Sequence, residues 1–195
     1  MIGYLALARE TFDVEFAESK FAKAKSLLIS LAPNAIGFDD LITNDDSAEN
    51  ALSFFNSNDC EKIFIFQTTF TDAKFLLNFA QTIKKPICIV SFPEPRTGGR
   101  LRLNSICGLN LGMHSLIKNS INAEFVIMDA DEKMNESLFE GFISGNVIKE
   151  QHSWKEAWLG NSQANFDYFI DKQTIGIIGT RPEGFDTCDY DSNEV

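Results

Sequence analysis

The stretch KIFIFQTTFTDAKFLLNFAQTIKKPICIVS, residues 62–91, decides the fold of this 195-residue chain. KIFIF and PICIVS are short apolar runs without polar alternation, which is typical of parallel strands that are covered on both faces. Between them, residues 71–83 place Phe75, Leu76, Phe79 and Ile83 at helical spacing. A strand, a helix and a second strand of these lengths form a parallel βαβ unit.

The same alternation continues on both sides of this unit. The predicted strands are Ile2–Leu7, Ala35–Gly37, Lys62–Phe66, Pro86–Ser91, Glu124–Met128 and Thr174–Ile178. The predicted helices are Val14–Leu31, a helix capped by Asp46 or Ser47 that runs to about Asn56, Thr71–Ile83, Ser105–Ile117, Asn135–Ile148 and a region around Trp154–Trp158. We therefore expect an α/β fold with a doubly wound parallel sheet flanked by helices. Residues 1–172 would form this domain, and 173–195 a strand and linker into a second domain that the chain lacks.

Composition and charge narrow the class of partner. A net charge of −11 makes nucleic acid a poor candidate, because binding phosphates requires a basic face. The four cysteines show no CxxC spacing; Cys88 and Cys107 lie in apolar segments and are expected to be reduced and buried. No apolar run reaches the length of a membrane span, and no signal peptide is evident. These features predict a cytoplasmic protein with no membrane partner, and the 18 phenylalanines predict an aromatic core.

Folds of this class bind ligands beyond the carboxyl ends of their strands. Four segments there hold the unusual polar residues, and the first three should converge on one edge of the sheet: Ala8–Thr11, Gln67–Asp72, Phe92–Arg102 and Gly179–Asp186. None carries a phosphate-binding motif such as GxxxxGK[ST] or GxGxxG. The chain has two histidines and no HExxH, so a complete metal site or a Ser-His-Asp triad is not expected.

The segment Pro93–Asn110 is the predicted functional centre. Arg96, Arg100 and Arg102 are three arginines within seven residues, which is unusual in so acidic a chain. The turn Thr97–Arg100 could hold an anion with backbone N–H groups and arginines, or its two glycines could simply make a turn. Asn104 is placed either to meet a ligand or, more simply, to cap the following helix.

Two further positions have alternative interpretations. Gln67 is an amide just past a buried strand, where it can meet a ligand or a partner. His114 lies one turn after Asn110 on the same side of a predicted helix, although a lone helical histidine is more often structural. Thr71 and Asp72 could cap the next helix.

Taken together, four pieces resemble the amino-terminal part of the L-fucose/L-arabinose isomerase family, in its fucose isomerase-like branch. They are LALARETFDVE (5–15), QTTFTDA (67–73), PEPRTGGRLRLNSICGLNLGMH (93–114) and GTRPEGFDTCDYD (179–191). The resemblance implies a Rossmann-like or flavodoxin-like domain, and an aldose–ketose isomerase of carbohydrate metabolism that uses Mn²⁺ or another divalent metal. It places the metal ligands in later domains, so this chain would bind no metal. It also implies a homo-oligomer, a trimer or hexamer, in which this domain lends residues to a neighbour's sugar pocket.

The resemblance also implies site residues. Arg9 falls on a sugar-contacting position, and His114 on a histidine that reaches the neighbouring subunit's substrate. Leu111 departs from that pattern, since the arabinose enzymes carry a glutamine there. The full set of predicted substrate-binding residues is Arg9, Gln67, Thr68, Phe70, Arg96, Arg100, Asn104, His114 and Arg181; no catalytic residue is predicted.

Three functions remain open at this point. The chain is the amino-terminal domain of a sugar isomerase and inactive alone, or a stand-alone sugar- or anion-binding module, or a structural oligomerisation domain.

Overall fold

The computed structural model describes residues 1–95, 99–128 and 136–145. Within these ranges five strands alternate with five helices. The elements are β1 (Ile2–Leu7), α1 (Val14–Leu31), β2 (Ile36–Ile42), α2 (Asp45–Ser57), β3 (Lys62–Gln67), α3 (Lys74–Ile83), β4 (Ile87–Ser91), α4 (Ser105–Lys118), β5 (Ala123–Ile127) and α5 (Glu136–Ser144). The predicted strand Thr174–Ile178, the predicted helix at Trp154–Trp158 and the predicted domain boundary at 172 lie outside the described residues.

The five strands form one parallel sheet of order β2-β1-β3-β4-β5. Apolar residues of α1 and α5 pack on one face, and those of α2, α3 and α4 pack on the other. The predicted doubly wound α/β fold is therefore confirmed. This is the flavodoxin-like strand order, in which the chain reverses direction across the sheet between β1 and β3 and opens a crevice at their carboxyl ends.

Phenylalanine fills the α1/α5 side of the core, as the composition predicted. The ring of Phe64 on β3 lies 4.8 Å from that of Phe139 and 5.0 Å from that of Phe142, between centroids. Phe66 lies 5.3 Å from Phe21 on α1. Tilted and edge-to-face pairs at these distances stabilise the core beyond their buried area, so the aromatic cluster fixes both helices against the sheet.

The second strand is longer than predicted, and a bulge explains why. Its register against β1 shifts between the pairs Tyr4–Gly37 and Ala6–Leu41. Asp39 in the bulge accepts hydrogen bonds from the Tyr4 hydroxyl at 2.7 Å and from Lys25 Nζ at 3.1 Å. Burial and the Asp39 contact raise the pKa of Tyr4 to about 12. Acidic residues on an edge strand broke the apolar pattern from which β2 was predicted.

Two predicted helix starts were wrong. The N-cap of α2 is Asn44, whose side-chain oxygen accepts a hydrogen bond from Ser47 N–H. In return, the Ser47 hydroxyl oxygen accepts one from Asn44 N–H. This capping box lies two positions before Asp46 and three before Ser47, the two predicted caps, and starts the helix at Asp45. Helix α3 begins at Lys74 rather than Thr71. Within the described residues no helix is long and apolar enough to cross a membrane.

Candidate functional site

The loops that follow β1, β3 and β4 are tied together by backbone contacts. Arg9 N–H donates to Thr69 Oγ1 at 2.8 Å, Phe70 N–H to the Leu103 carbonyl at 2.7 Å, and Asp13 N–H to the Arg102 carbonyl at 3.0 Å. The expectation that these three segments converge on one edge of the sheet is thus confirmed. We call the surface formed by residues 9–13, 68–72 and 99–104 the carboxyl edge.

Arg9 and Phe70 meet at the centre of the carboxyl edge. The Arg9 guanidinium carbon lies 5.9 Å from the centroid of the Phe70 ring, which in turn lies 6.3 Å from that of Phe12. Arg9 is exposed and Phe70 half-buried. An arginine resting on an aromatic face keeps its N–H donors at the edge of the plane available to a ligand.

Gln67 and Thr68 lie beneath this surface. Gln67 is 1 % exposed, and its Nε2 donates to the Thr69 carbonyl at 2.7 Å and to Thr71 Oγ1 at 2.9 Å. Thr68 is fully buried and its hydroxyl donates to the Leu7 carbonyl at 2.7 Å. Both side chains therefore shape the loop after β3 from below. Whether either contacts substrate stays a prediction.

A serine pair ties the end of β4 to the start of α4. Ser105 Oγ donates to the Gln67 carbonyl, accepts from Phe92 N–H at 3.1 Å and lies 2.7 Å from Ser91 Oγ. Because the Ser105 proton is used on Gln67, Ser91 is the donor between the two hydroxyls. All four groups are buried. Sequence reasoning missed this pair, because serine at a strand or helix end is too common to stand out.

The backbone just before α4 is held by Glu94 rather than by the side chain of Asn104. Asn104 does precede the first turn of α4, but its φ of 51° is left-handed and its side chain caps nothing. Instead, the Glu94 carboxylate accepts from the backbone N–H groups of Arg102 at 3.0 Å, Leu103 at 2.7 Å and Asn104. The prediction of an asparagine side-chain cap was therefore wrong, and the carboxylate holds the backbone of the three residues that lead into α4.

Arg102 is bound within the protein. Its Nε and Nη2 both lie 2.8 Å from Asp13 Oδ2, and its guanidinium carbon lies 3.8 Å from the centroid of the Phe16 ring. Asp13 also caps α1 by accepting from Phe16 N–H at 3.0 Å. That backbone hydrogen bond and the Arg102 contact lower the pKa of Asp13. This cluster joins the Pro93–Asn110 segment to the start of α1.

Arg100 is exposed and only loosely held. Its Nη2 donates to the Thr11 carbonyl at 3.4 Å, beside a cavity of about 260 Å³ that residues 11–13 and 100–102 line. Gly99 has a φ of 88°, which glycine adopts without strain. Arg96, Thr97 and Gly98, like Arg181, lie outside the described residues.

His114 belongs to a different surface, the exposed side of α4. It shares that side with Cys107, Asn110 and Leu111, of which Leu111 is 39 % exposed. The predicted burial of Cys107 was wrong, because the buried stripe of α4 runs through Gly108, Leu109, Gly112 and Leu116 instead. Ile117, near the end of the same helix, is 67 % exposed.

Other cavities open on the described surface. A crevice of about 160 Å³ lies beside the carboxyl edge, between the ends of β1 and β2 and the starts of α2 and α3, and Thr71 and Asp72 line it. A groove of about 790 Å³ lies at the opposite edge, where β4 and β5 begin, and includes Glu124, whose Oε2 is buried without a hydrogen-bond partner in the described part of the chain. Desolvation raises the pKa of Glu124. Residues 1–95, 99–128 and 136–145 contain no group of three His, Cys, Asp or Glu side chains able to hold a metal ion.

A parallel sheet of order 2-1-3-4-5, with polar loops gathered beside its β1/β3 switch point, defines a flavodoxin-like α/β domain, a class that binds ligands at that edge. Residues 3–144 match the N-terminal domain of fucose/sulfoquinovose isomerases, and the chain belongs to that family. The family resemblance of its motifs is confirmed.

Relatives of known activity agree with this assignment. The chain is 27 % identical over 183 residues to a sulfoquinovose isomerase of Priestia aryabhattai, which covers 93 % of this chain and 37 % of the relative. It is 28 % identical over 193 residues to one of Alkalicoccus urumqiensis, covering 98 % of this chain and 39 % of the relative. One of Clostridium sp. (strain MSTE9) is 23 % identical over 192 residues, covering 95 % and 42 %. The chain thus spans about two fifths of the length of these relatives.

Proposed function

We propose that this chain is the amino-terminal domain of a metal-dependent aldose–ketose isomerase and forms one wall of its sugar pocket. The observation that carries the proposal is the carboxyl edge, where Arg9 rests on Phe70 at the switch point of a domain of the fucose/sulfoquinovose isomerase family. An exposed guanidinium beside an aromatic ring suits a sugar, because the ring packs on C–H groups while the N–H donors bind hydroxyls.

The chemistry of isomerisation would come from groups outside the described residues. In the whole enzyme a divalent metal such as Mn²⁺ would supply Lewis-acid chemistry to the sugar oxygens, and a carboxylate would move the proton. The described residues bring no ligand set together, so we assign the metal to the part of the enzyme that the relatives have in addition. The role of this domain is then to bind and orient the sugar.

We further propose that α4 faces a neighbouring subunit. Its exposed side carries His114 with Asn110, Leu111 and Ile117, a mixture of polar and large apolar side chains. Packing this side against a second copy would bury Leu111 and Ile117 and bring His114 toward the neighbour's sugar. The trimer or hexamer expected from the family resemblance would supply such a contact.

The proposal is tested by complementation. The 195-residue chain is mixed with the remaining segment of the Priestia relative, Mn²⁺ and an aldose, and ketose formation is followed by NMR. We expect turnover only in the mixture, with loss on chelation and a reduced rate for Arg9→Ala. Glu49→Ala, which changes an exposed residue of α2, serves as the control. Turnover by the chain alone that persists in the presence of a chelator would contradict the proposal.

A stand-alone sugar- or anion-binding module is the second candidate, and the exposed Arg9 and Arg100 favour it. It predicts sugar or anion binding by the chain with no gain of activity when the complementing segment is added. An oligomerisation domain without a binding role would show neither.

A further inference from the structure

The carboxyl edge depends on two residues that come from different loops. Arg9 follows β1 and Phe70 follows β3, and the Arg9 guanidinium carbon lies 5.9 Å from the centroid of the Phe70 ring. Arg9 is exposed and Phe70 half-buried, so contact between the two side chains alone does not fix where they stand. The backbones that carry them must therefore be held together from beneath.

Thr69 supplies such a contact through one hydroxyl group. Its Oγ1 accepts from Arg9 N–H at 2.8 Å and donates to the Phe70 carbonyl at 3.2 Å. A hydroxyl can donate one hydrogen bond and accept others, so a single atom serves both backbones. Thr69 is fully buried, and its β-branched side chain has few rotamers, which fixes the place of this atom.

Other backbone contacts shape each of the two loops separately. Phe70 N–H donates to the Leu103 carbonyl at 2.7 Å, which ties Phe70 to the segment before α4. Phe12 N–H donates to the Arg9 carbonyl at 3.0 Å, which closes the turn after β1. Neither of these two bonds joins Arg9 to the loop that carries Phe70, so the Thr69 hydroxyl adds a link that they do not provide.

One residue deeper, Thr68 joins the ends of the two strands. Its N–H and its hydroxyl both donate to the Leu7 carbonyl, at 3.0 Å and 2.7 Å. These two bonds hold β1 against β3 whether or not Thr69 has its hydroxyl. Loss of the Thr69 hydroxyl should therefore leave the sheet intact and act on the loop after β1, where the Arg9 amide would lose its acceptor.

We propose that Thr69 is a positioning residue, which sets where Arg9 and Phe70 meet the sugar. This inference rests on the proposed sugar-binding function and adds a residue that is not among the predicted substrate-binding residues. Thr69 does not itself touch the sugar, because it is fully buried and its proton is used on the Phe70 carbonyl. Since this wall binds the sugar and the chemistry comes from elsewhere, loss of the hydroxyl raises KM rather than lowering kcat.

The test compares variants with and without the hydroxyl. Thr69→Val removes it at nearly the same side-chain shape, and Thr69→Ala is a second variant without it. Thr69→Ser keeps the hydroxyl and is the conservative rescue. Ser91→Ala is the matched control, because it also removes a fully buried hydroxyl at a strand end, one whose hydrogen bond runs to Ser105.

The first measurement is amide hydrogen exchange of the 195-residue chain, followed by NMR. We expect Arg9 N–H to exchange at least about tenfold faster in Thr69→Val than in the parent chain, because its acceptor is gone. In Thr69→Ser and Ser91→Ala the Arg9 amide should exchange at close to the parent rate.

The second measurement is steady-state kinetics with Mn²⁺, the remaining segment of the Priestia relative, and L-fucose or sulfoquinovose, after the two sugars for which the family is named. Thr69→Val should raise KM about tenfold and leave kcat within about threefold of the parent value. Thr69→Ser and Ser91→Ala should change KM by less than about threefold.

The outcomes separate this inference from the proposed function. A parent-like KM in folded Thr69→Val, or an equal rise of KM in Ser91→Ala, would overturn the inference and leave the sugar isomerase intact. An Arg9 amide that exchanges at the parent rate in Thr69→Val would also overturn it. Failure of both Thr69→Val and Thr69→Ala to fold would make Thr69 a core residue rather than a positioning residue. Absence of turnover of either sugar by the parent mixture would contradict the proposed function and remove this inference with it.

Discussion

Replacing Glu94 with alanine should destabilise the domain far more than loss of a half-buried loop carboxylate normally does. The carboxylate accepts from three consecutive backbone amides, those of residues 102–104, just before α4. Arg102 is exposed, so water can replace the acceptor of its amide. Leu103 is fully buried and Asn104 half-buried, so their amides would lose their acceptor with little access to water.

The magnitude follows from these two amides. The fully buried amide of Leu103 left without an acceptor costs about 1–3 kcal/mol, and the half-buried amide of Asn104 adds about 1 kcal/mol. We therefore expect Glu94→Ala to lower the free energy of unfolding by about 2–4 kcal/mol. Glu94→Gln keeps one accepting oxygen but turns an NH₂ group toward a backbone donor, so it should cost about 1–2 kcal/mol.

Urea denaturation followed by circular dichroism measures both variants. At an unchanged slope of about 2 kcal/mol per molar urea, Glu94→Ala should shift the midpoint down by about 1–2 M. Glu49→Ala makes the same change in charge on the exposed side of α2 and should stay within about 0.5 kcal/mol of the parent chain. A Glu94→Ala variant as stable as Glu49→Ala would refute the role of Glu94 in holding the backbone of residues 102–104.

Three further predictions follow from the packing and the shifted pKa values. An added Cβ at Gly108 would lie 3.2 Å from the backbone of Phe70, whereas an added Cβ at Gly112 would meet a methyl group at the end of the Leu76 side chain. Because backbone gives way less easily than a side chain, urea denaturation should show Gly108→Ala to be less stable than Gly112→Ala by about 1–2 kcal/mol. Because the pKa of Glu124 is raised above 4.5, its ionisation destabilises the fold as the pH rises through and above that value. Glu124→Gln should therefore be as stable as the parent chain near pH 4 and more stable near pH 7. A difference in stability that stays constant with pH would contradict this. With a pKa of about 12, Tyr4 keeps its hydrogen bond below its ordinary value of 10.0 and loses it as the pH rises toward 12; the stability gap between the parent and Tyr4→Phe should therefore narrow in alkaline denaturation.

Most of the sheet was predictable because its strands are covered on both faces. Runs such as KIFIF contain nothing but apolar side chains after the first residue, and their bounds came out within a residue or two. The length of the edge strand β2 was underestimated because helices cover only part of the strand. Asp39 and Asp40 point into solvent at the bulge, so the apolar pattern stops while the backbone pairing continues to Ile42.

The location of the site was predictable from topology, but its contacts were not. Parallel strands end at one edge, so the convergence of the loops after β1, β3 and β4 follows from the order of the elements alone. Glu94 reaches amides 8 to 10 residues away, and Ser105 reaches a carbonyl 38 residues away. Such contacts depend on how a loop closes in three dimensions, and no local sequence pattern specifies that.

Gln67 shows how strand geometry could have improved the prediction. Side chains alternate along a strand, and Phe64 and Phe66 point to the α1/α5 side. Gln67, like Ile63 and Ile65, must therefore point to the side of α4, under the helix rather than out of the strand end. Gly108 on α4 faces Gln67 there. A Cβ added at Gly108 would lie only 2.9 Å from the Nε2 atom of Gln67. The alternation of side chains along β3 therefore shows that Gln67 supports the loop from beneath. The residues that can reach a ligand come after it, above all Phe70.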